Sequence, residues 1–124
     1  MPLVLVVEDD PETRRYYADA FSRVGFETHQ AHNGLQALQK AFELRPSLIL
    51  TDIAVPGIDG IELLRRLRAD ERTASIPVIA ITGYDDRQYV DRARGAGASH
   101  VLAKPCDSES LINEARQLLA ASLR

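Results

Sequence analysis

The sequence lacks the features of a secreted, membrane-spanning or nucleic-acid-binding protein. Its single cysteine, Cys106, rules out an internal disulfide and fits a reducing compartment, so we expect a cytoplasmic location. No apolar stretch approaches the roughly 18 residues that a membrane-spanning helix needs, and we expect no membrane insertion. The opening MPLVLVVEDD has no basic region and turns acidic after a short apolar run, unlike a signal peptide. With 15 Lys and Arg against 18 Asp and Glu, the net charge of −3 argues against direct nucleic-acid binding.

The composition that is present predicts one globular α/β domain over residues 1–124. A hydrophobic fraction of 45% and a charged fraction of 27% are typical of a folded, soluble chain. Short apolar runs alternate strictly with helix-like segments, which predicts a parallel sheet covered by helices on both faces. The predicted strands are Leu3 to Val7, Phe26 to Ala31, Leu48 to Thr51, Pro77 to Ile81 and His100 to Ala103. Five helices follow them. The first is opened by Asp10-Pro11-Glu12 and stopped by Gly25, and its apolar face carries Tyr17, Ala20, Phe21 and Val24. The second is capped by Asn33-Gly34 and carries Leu35, Leu38, Ala41 and Phe42 on one side. The third has Ile61, Leu64 and Leu67 inward and Arg65, Arg66 and Arg68 outward on a solvated face, and the last two cover about 87–96 and 108–123.

Polar side chains follow four of the five predicted strands. Glu8, Asp9 and Asp10 follow the first, Asp52 the third, Thr82 the fourth and Lys104 the fifth. Because the carboxyl ends of parallel strands meet at one edge of the sheet, we expect these groups to share one site. Several carboxylates there would repel one another unless a cation lay between them, and oxygen ligands without His or Cys suit Mg²⁺.

This set of residues predicts a metal-assisted phosphoryl site with Asp52 as the nucleophile. Lysine and threonine at the same edge suit a phosphoryl group, through charge and hydrogen bonding respectively. Less specific interpretations stay open at this point: Asp52 in a surface turn, and Glu8 and Asp9 at an ordinary helix N-terminus. Asp10 is interpreted as a helix cap.

Four segments, LVLVVEDDP, TDIAVPGIDGIELLRRLR, IPVIAITG and GASHVLAKP, resemble in order the receiver domain of two-component response regulators. The resemblance implies a flavodoxin-like, doubly wound sheet of order 2-1-3-4-5. It implies that Asp52 accepts a phosphoryl group from a sensor histidine kinase or a histidine phosphotransfer protein. Mg²⁺, or Mn²⁺ in its place, would be bound by Asp9, Asp52 and the Ala54 main-chain carbonyl, and by Glu8 mostly through a water. Thr82 and Lys104 would contact the phosphoryl oxygens.

The same resemblance concerns the output of the domain. It implies a cis Lys104-Pro105 peptide and a switching surface formed by the fourth helix, fifth strand and fifth helix. That surface would bind a downstream protein target and could pair two copies as a homodimer. Val101 replaces the aromatic residue that most receivers carry at this position, so the output step is expected to differ.

Four functions remain in competition. The first is a stand-alone receiver, not an enzyme, that signals by protein contact; the second is a receiver cut from a hybrid histidine kinase or a longer regulator. The third is a phosphatase with an aspartate nucleophile, which would normally carry a second acid where this chain has Ala54. The fourth is an interaction module that is no longer phosphorylated, against which the complete set Asp9, Asp52, Thr82 and Lys104 argues.

Overall fold

A computed structural model describes residues 2–53, 59–83, 87–104 and 106–122, and it shows five strands alternating with five helices. Adjacent strands are all parallel, and the sheet order is β2-β1-β3-β4-β5, as predicted. The elements in chain order are β1 Leu3–Val7, α1 Pro11–Arg23, β2 Glu27–Ala31, α2 Gly34–Leu44, β3 Leu48–Asp52, α3 Gly60–Ala69, β4 Val78–Thr82, α4 Arg87–Ala96, β5 His100–Ala103 and α5 Ser108–Ser122.

The sheet separates two apolar clusters. One packs α2, α3 and α4 against one face, with Leu63, Leu64 and Leu67 among its fully buried members. The other packs α1 and α5 against the opposite face around Phe21 and Leu111. Every residue of β3 and β4 is buried, which explains why these strands read as continuous apolar runs. No helix in the described part of the chain is long and apolar enough to cross a bilayer.

Capping side chains begin four helices in the described part of the chain, and one of them is Asp107, which accepts from the Ser110 main-chain N–H at 2.7 Å at the start of α5. Asp10 accepts a hydrogen bond from the main-chain N–H of Thr13 and begins α1, which confirms its interpretation as a cap. Asn33 caps α2 in the same way, as predicted. Asp59 does the same for α3 and was not singled out in the sequence.

Several predictions about packing were wrong. Val24 and Leu35 were assigned to packed helix faces but are 41% and 58% exposed. Arg68 was placed on a solvated face together with Arg65 and Arg66, yet its guanidinium group points back toward the protein. It donates to the carbonyl oxygens of Gly97, Ala74 and Ile76 at 2.6–3.0 Å. It thereby ties α3 to the segments before β4 and after α4.

Four strand ends differ from the predicted ones by one residue each. β2 begins at Glu27, β3 continues through Asp52, and β4 runs from Val78 to Thr82. The second shift has a functional consequence: Asp52 is the last residue of the strand, hydrogen-bonded within the sheet, and not the first residue of a turn.

Candidate functional site

The end of β1 holds Glu8 in a fixed position. Its main-chain N–H donates to the Ala31 carbonyl oxygen at 3.0 Å, and its own carbonyl oxygen accepts from Arg14 Nη1 at 2.9 Å. The side chain is only 1% exposed, and its Oε2 accepts a hydrogen bond from the Asp9 main-chain N–H at 2.9 Å. Glu8 is therefore a buried carboxyl group held by its backbone on both sides. Arg14 was missed in the sequence, where it looked like an ordinary polar residue of α1.

The end of β3 presents Asp52 at the centre of the same edge. Asp52 is 8% exposed, and the following residue, Ile53, donates its N–H to the Ile81 carbonyl oxygen at 3.0 Å. The start of α3 packs directly against this point, since a Cβ atom on Gly60 would lie 2.6 Å from Ile53 Cα. A glycine is needed at position 60 because any side chain there would push the helix away from the end of β3.

The ends of β4 and β5 bring Thr82 and Lys104 beside Asp52. Thr82 is buried, and its carbonyl oxygen accepts from the Lys104 main-chain N–H at 2.8 Å. The Lys104 ammonium donates to Glu8 Oε1 at 3.0 Å and also to Asp52 Oδ2. Residues far apart in sequence on β1, β3 and β5 therefore meet at one amine.

The electrostatics of this cluster are unbalanced. Burial raises the pKa of Glu8 to about 7, and its hydrogen bond with the Asp9 side chain and the charge of Asp52 act in the same direction, while Lys104 opposes them. Partial burial works against the charged form of Lys104, but its hydrogen bonds to Asp52 and Glu8 outweigh that cost, so the pKa of the amine is raised. The Lys104 ammonium contacts two carboxyl groups, those of Glu8 and Asp52, so one positive charge is shared between two acids.

The donor atoms suit a hard divalent cation. Carboxylate oxygens such as those of Glu8, Asp9 and Asp52 are the ligands that Mg²⁺ prefers. These three acids outnumber the one positive charge of Lys104. No group of three His, Cys, Asp or Glu side chains converges on one point among the residues that the structure describes. Ala54, a further predicted ligand, lies outside the described residues, as does Pro105, to which the predicted cis peptide belongs.

Of the predicted site residues, Glu8, Asp52 and Lys104 are therefore joined by hydrogen bonds. Asp9 lies beside Glu8, with its main-chain N–H and its side chain both hydrogen-bonded to the Glu8 carboxyl group. Thr82 occupies the neighbouring strand end.

Comparison with known proteins identifies the family. The family model of the response regulator receiver domain matches residues 4–116, and the chain belongs to this family. It is 34% identical over 116 residues to sporulation initiation phosphotransferase F of Bacillus subtilis, covering 94% of this chain and 92% of that protein. It is 35% identical over 119 residues to the DNA-binding dual master transcriptional regulator RpaA of Synechocystis, covering 96% of this chain but only 49% of that one.

Solved structures support the same assignment. A putative response regulator from Chloroflexus aurantiacus superimposes with a TM-score of 0.92 at 29% identity, covering 96% of this chain and 98% of that one. The chain therefore spans almost the whole of some relatives and about half of another.

Proposed function

We propose that the protein accepts a phosphoryl group on Asp52, with Mg²⁺ as the required cation, and signals through phosphorylation-dependent contact with another protein. The observation that carries the proposal is the Lys104 ammonium bound to Asp52 at the end of a buried strand. A fixed carboxylate beside a fixed cation suits in-line phosphoryl transfer, which depends mainly on positioning and charge neutralisation.

In the proposed reaction a carboxylate oxygen of Asp52 attacks the phosphorus atom of the donor. A new P–O bond forms to Asp52 as the bond to the leaving group breaks, and the leaving group takes the electron pair. When the donor is a phosphohistidine, the leaving group is the imidazole of a sensor kinase or phosphotransfer protein. Glu8, Asp9 and Asp52 would hold Mg²⁺, which neutralises charge on the phosphoryl oxygens during transfer. Lys104 would then pair with the phosphoryl group, and Thr82 would hydrogen-bond to it.

Acetyl phosphate provides a direct test of the acceptor, because it needs no partner protein. Intact mass should increase by one phosphoryl group in the presence of Mg²⁺ or Mn²⁺ and stay unchanged with a chelator. Asp52→Asn should abolish the change. Asp59→Asn is the matched control, because asparagine caps a helix as well as aspartate does and α3 should be preserved. An unmodified parent protein at millimolar donor would instead support a module that is not phosphorylated.

Lys104→Ala separates phosphoryl transfer from the response to it. We expect phosphorylation to persist, because Asp52 remains at the strand end. The conformational response should fade, because the phosphoryl group loses its charged partner on β5. Amide hydrogen exchange over α4, β5 and α5, with and without donor, would measure this. A variant that responds like the parent would show that the role of the lysine is misassigned.

The site is not proposed to turn over small substrates. Phosphate should leave Asp52 only by slow hydrolysis or transfer, so each molecule of protein consumes about one equivalent of donor before that loss. Steady hydrolysis of unrelated phosphate esters would instead identify a phosphatase.

A further inference from the structure

The segment that joins β1 to α1 carries two of the acids proposed to hold the cation. The Glu8 carboxyl group is buried and accepts from the Lys104 ammonium at 3.0 Å, so contacts outside the segment hold it. Asp9 is exposed, and it contacts Glu8 through both its main-chain N–H and its side chain. The position of the Asp9 carboxylate therefore depends on the course of the main chain through residues 8 and 9.

Arg14 holds this main chain from the first turn of α1. Its Nη1 donates to the Glu8 carbonyl oxygen at 2.9 Å, and its own main-chain N–H donates to the Asp10 carbonyl oxygen at 2.9 Å. Arg14 is thus bonded to the main chain on both sides of Asp9. The bond to Asp10 is an ordinary helical one that any residue except proline would make, whereas the bond to Glu8 needs the guanidinium group.

Gln30 orients that guanidinium group from β2. The Gln30 side-chain oxygen accepts from Arg14 Nε at 3.1 Å, and the Gln30 main-chain carbonyl oxygen accepts from the Lys40 ammonium on α2. Because a guanidinium group is planar and its donors have a fixed geometry, one acceptor on β2 and another just after β1 leave Arg14 little freedom. A chain of bonds therefore runs from β2 through α1 to the end of β1.

We propose that Arg14, oriented by Gln30, is a positioning residue for the metal site, which holds the main chain of Glu8 and Asp9 in the arrangement that binds the cation. The inference rests on the proposed Mg²⁺ requirement of phosphoryl transfer. Acids gathered at one edge repel one another before a cation binds, so a less restrained main chain would let them move apart. Groups that orient metal ligands without touching the metal change its affinity by about 10–100-fold when they are removed.

The charge of Arg14 predicts the opposite effect. A positive group beside a cation site repels the cation, so if charge alone mattered, Arg14→Ala would bind Mg²⁺ more tightly than the parent. Positioning predicts weaker binding. Arg15 offers the matched control, because it is the next residue, is exposed, and donates to the Pro11 carbonyl oxygen at 3.4 Å within α1. Arg15→Ala removes a charge of the same sign without loosening the segment before the helix.

Isothermal titration calorimetry with Mg²⁺, in the absence of a phosphoryl donor, tests the inference. Arg14→Ala should raise the Mg²⁺ dissociation constant about tenfold, and Arg15→Ala should leave it within about twofold of the parent. Arg14→Lys keeps the charge but has one amine for two separate acceptors, so its dissociation constant should fall between those of the parent and Arg14→Ala. Gln30→Ala should weaken binding about threefold and add nothing in the Arg14→Ala background, because Gln30 acts through Arg14.

Phosphorylation by acetyl phosphate separates positioning from chemistry. In Arg14→Ala the half-saturating Mg²⁺ concentration should rise by the same factor as the dissociation constant, while the rate at saturating Mg²⁺ stays within about twofold of the parent. A residue that serves the fold alone would lower the free energy of unfolding without changing either Mg²⁺ constant. If circular dichroism shows that Arg14→Ala does not fold, Arg14→Lys and Gln30→Ala provide the same comparison.

The outcomes distinguish this inference from the proposed function. Mg²⁺ binding by Arg14→Ala that is as tight as that of the parent, or tighter, overturns the inference, and so does an equal loss of affinity in Arg15→Ala. Either result, in a parent protein that is phosphorylated with Mg²⁺, leaves the proposed function in place. A parent protein that takes no phosphoryl group overturns the function and the inference together.

Discussion

Arg68 should contribute more to stability than its position on the polar side of α3 suggests. Its guanidinium donates to Gly97 O from both Nε and Nη2, at 3.0 and 2.8 Å, and to Ala74 O and Ile76 O from Nη1, at 3.0 and 2.6 Å. Arg68→Ala would leave these three carbonyl groups without this donor and would remove the link from α3 to Gly97, just after α4.

The magnitude follows from the number of bonds and their exposure. One hydrogen bond from a charged donor contributes about 1.5–3 kcal/mol to the free energy of unfolding. Three such bonds could therefore contribute several times this amount if they were fully buried. The guanidinium group is only half-buried, and water can replace part of what is lost. Burial also lowers the pKa of Arg68, which shows that the charge pays a desolvation cost that the alanine variant avoids. We therefore expect a loss of about 2–4 kcal/mol in the free energy of unfolding.

Urea denaturation followed by circular dichroism would measure this loss, with Arg66→Ala as the control. Arg66 lies on the same helix, is exposed and pairs with Glu62 at 3.1 Å, an i,i+4 contact that contributes about 0.3–0.5 kcal/mol. Arg68→Lys should fall between the parent and Arg68→Ala, since a single ammonium cannot reach all three carbonyl groups. If Arg68→Ala and Arg66→Ala lose the same stability within about 0.5 kcal/mol, the proposed role of Arg68 is wrong.

Two further predictions concern positions 97 and 8. Gly97 has φ +118°, and a Cβ atom there would lie 2.5 Å from Arg68 Cγ. Gly97→Ala should therefore destabilise the parent strongly and destabilise the Arg68→Ala variant less. A double-mutant cycle would measure the difference. The folded-state pKa of Glu8 is about 7, above its ordinary 4.5, so its contribution to stability is complete below about pH 4.5 and is lost as the pH rises through 7. Without divalent cations the free energy of unfolding of Glu8→Gln should therefore exceed that of the parent at pH 8, by roughly 3 kcal/mol at most. Urea titrations should show that this gain disappears at pH 4. A gain that does not depend on pH would contradict the raised pKa of Glu8.

The meeting of residues at the carboxyl edge could be predicted because it depends on topology alone. A parallel sheet brings all strand ends to one edge, and that rule placed Asp52, Thr82 and Lys104 together before any contact was known. The rule does not decide which acid the lysine contacts. The bond from Lys104 to Glu8 depends on the burial of Glu8, and that burial depends on how Arg14 and Ala31 hold the turn after β1.

Helical periodicity failed where a helix extends beyond the surface that it covers. Leu35 lies in the first turn of α2 and Val24 just after the last residue of α1, and both are exposed despite the correct spacing. The prediction for Arg68 was wrong for a different reason. Its spacing is that of a polar face, but its acceptors are main-chain carbonyl groups in the segment before β4 and at Gly97, and a carbonyl group leaves no signal in the sequence.

Stability and the proposed function make opposite demands on Glu8. In the metal-free protein the ionised carboxylate is buried near Asp52, and burial outweighs the stabilisation that it receives from Lys104 and from the Asp9 main-chain N–H, so ionised Glu8 destabilises the fold. A divalent cation among the same oxygens would relieve this repulsion and should stabilise the parent more than Glu8→Gln at pH 8. The glutamine variant should therefore unfold at higher urea than the metal-free parent yet need more Mg²⁺ for phosphorylation by acetyl phosphate. If the variant is more stable and needs no more Mg²⁺, Glu8 takes no part in holding the cation, and its pairing with Lys104 must serve the fold alone.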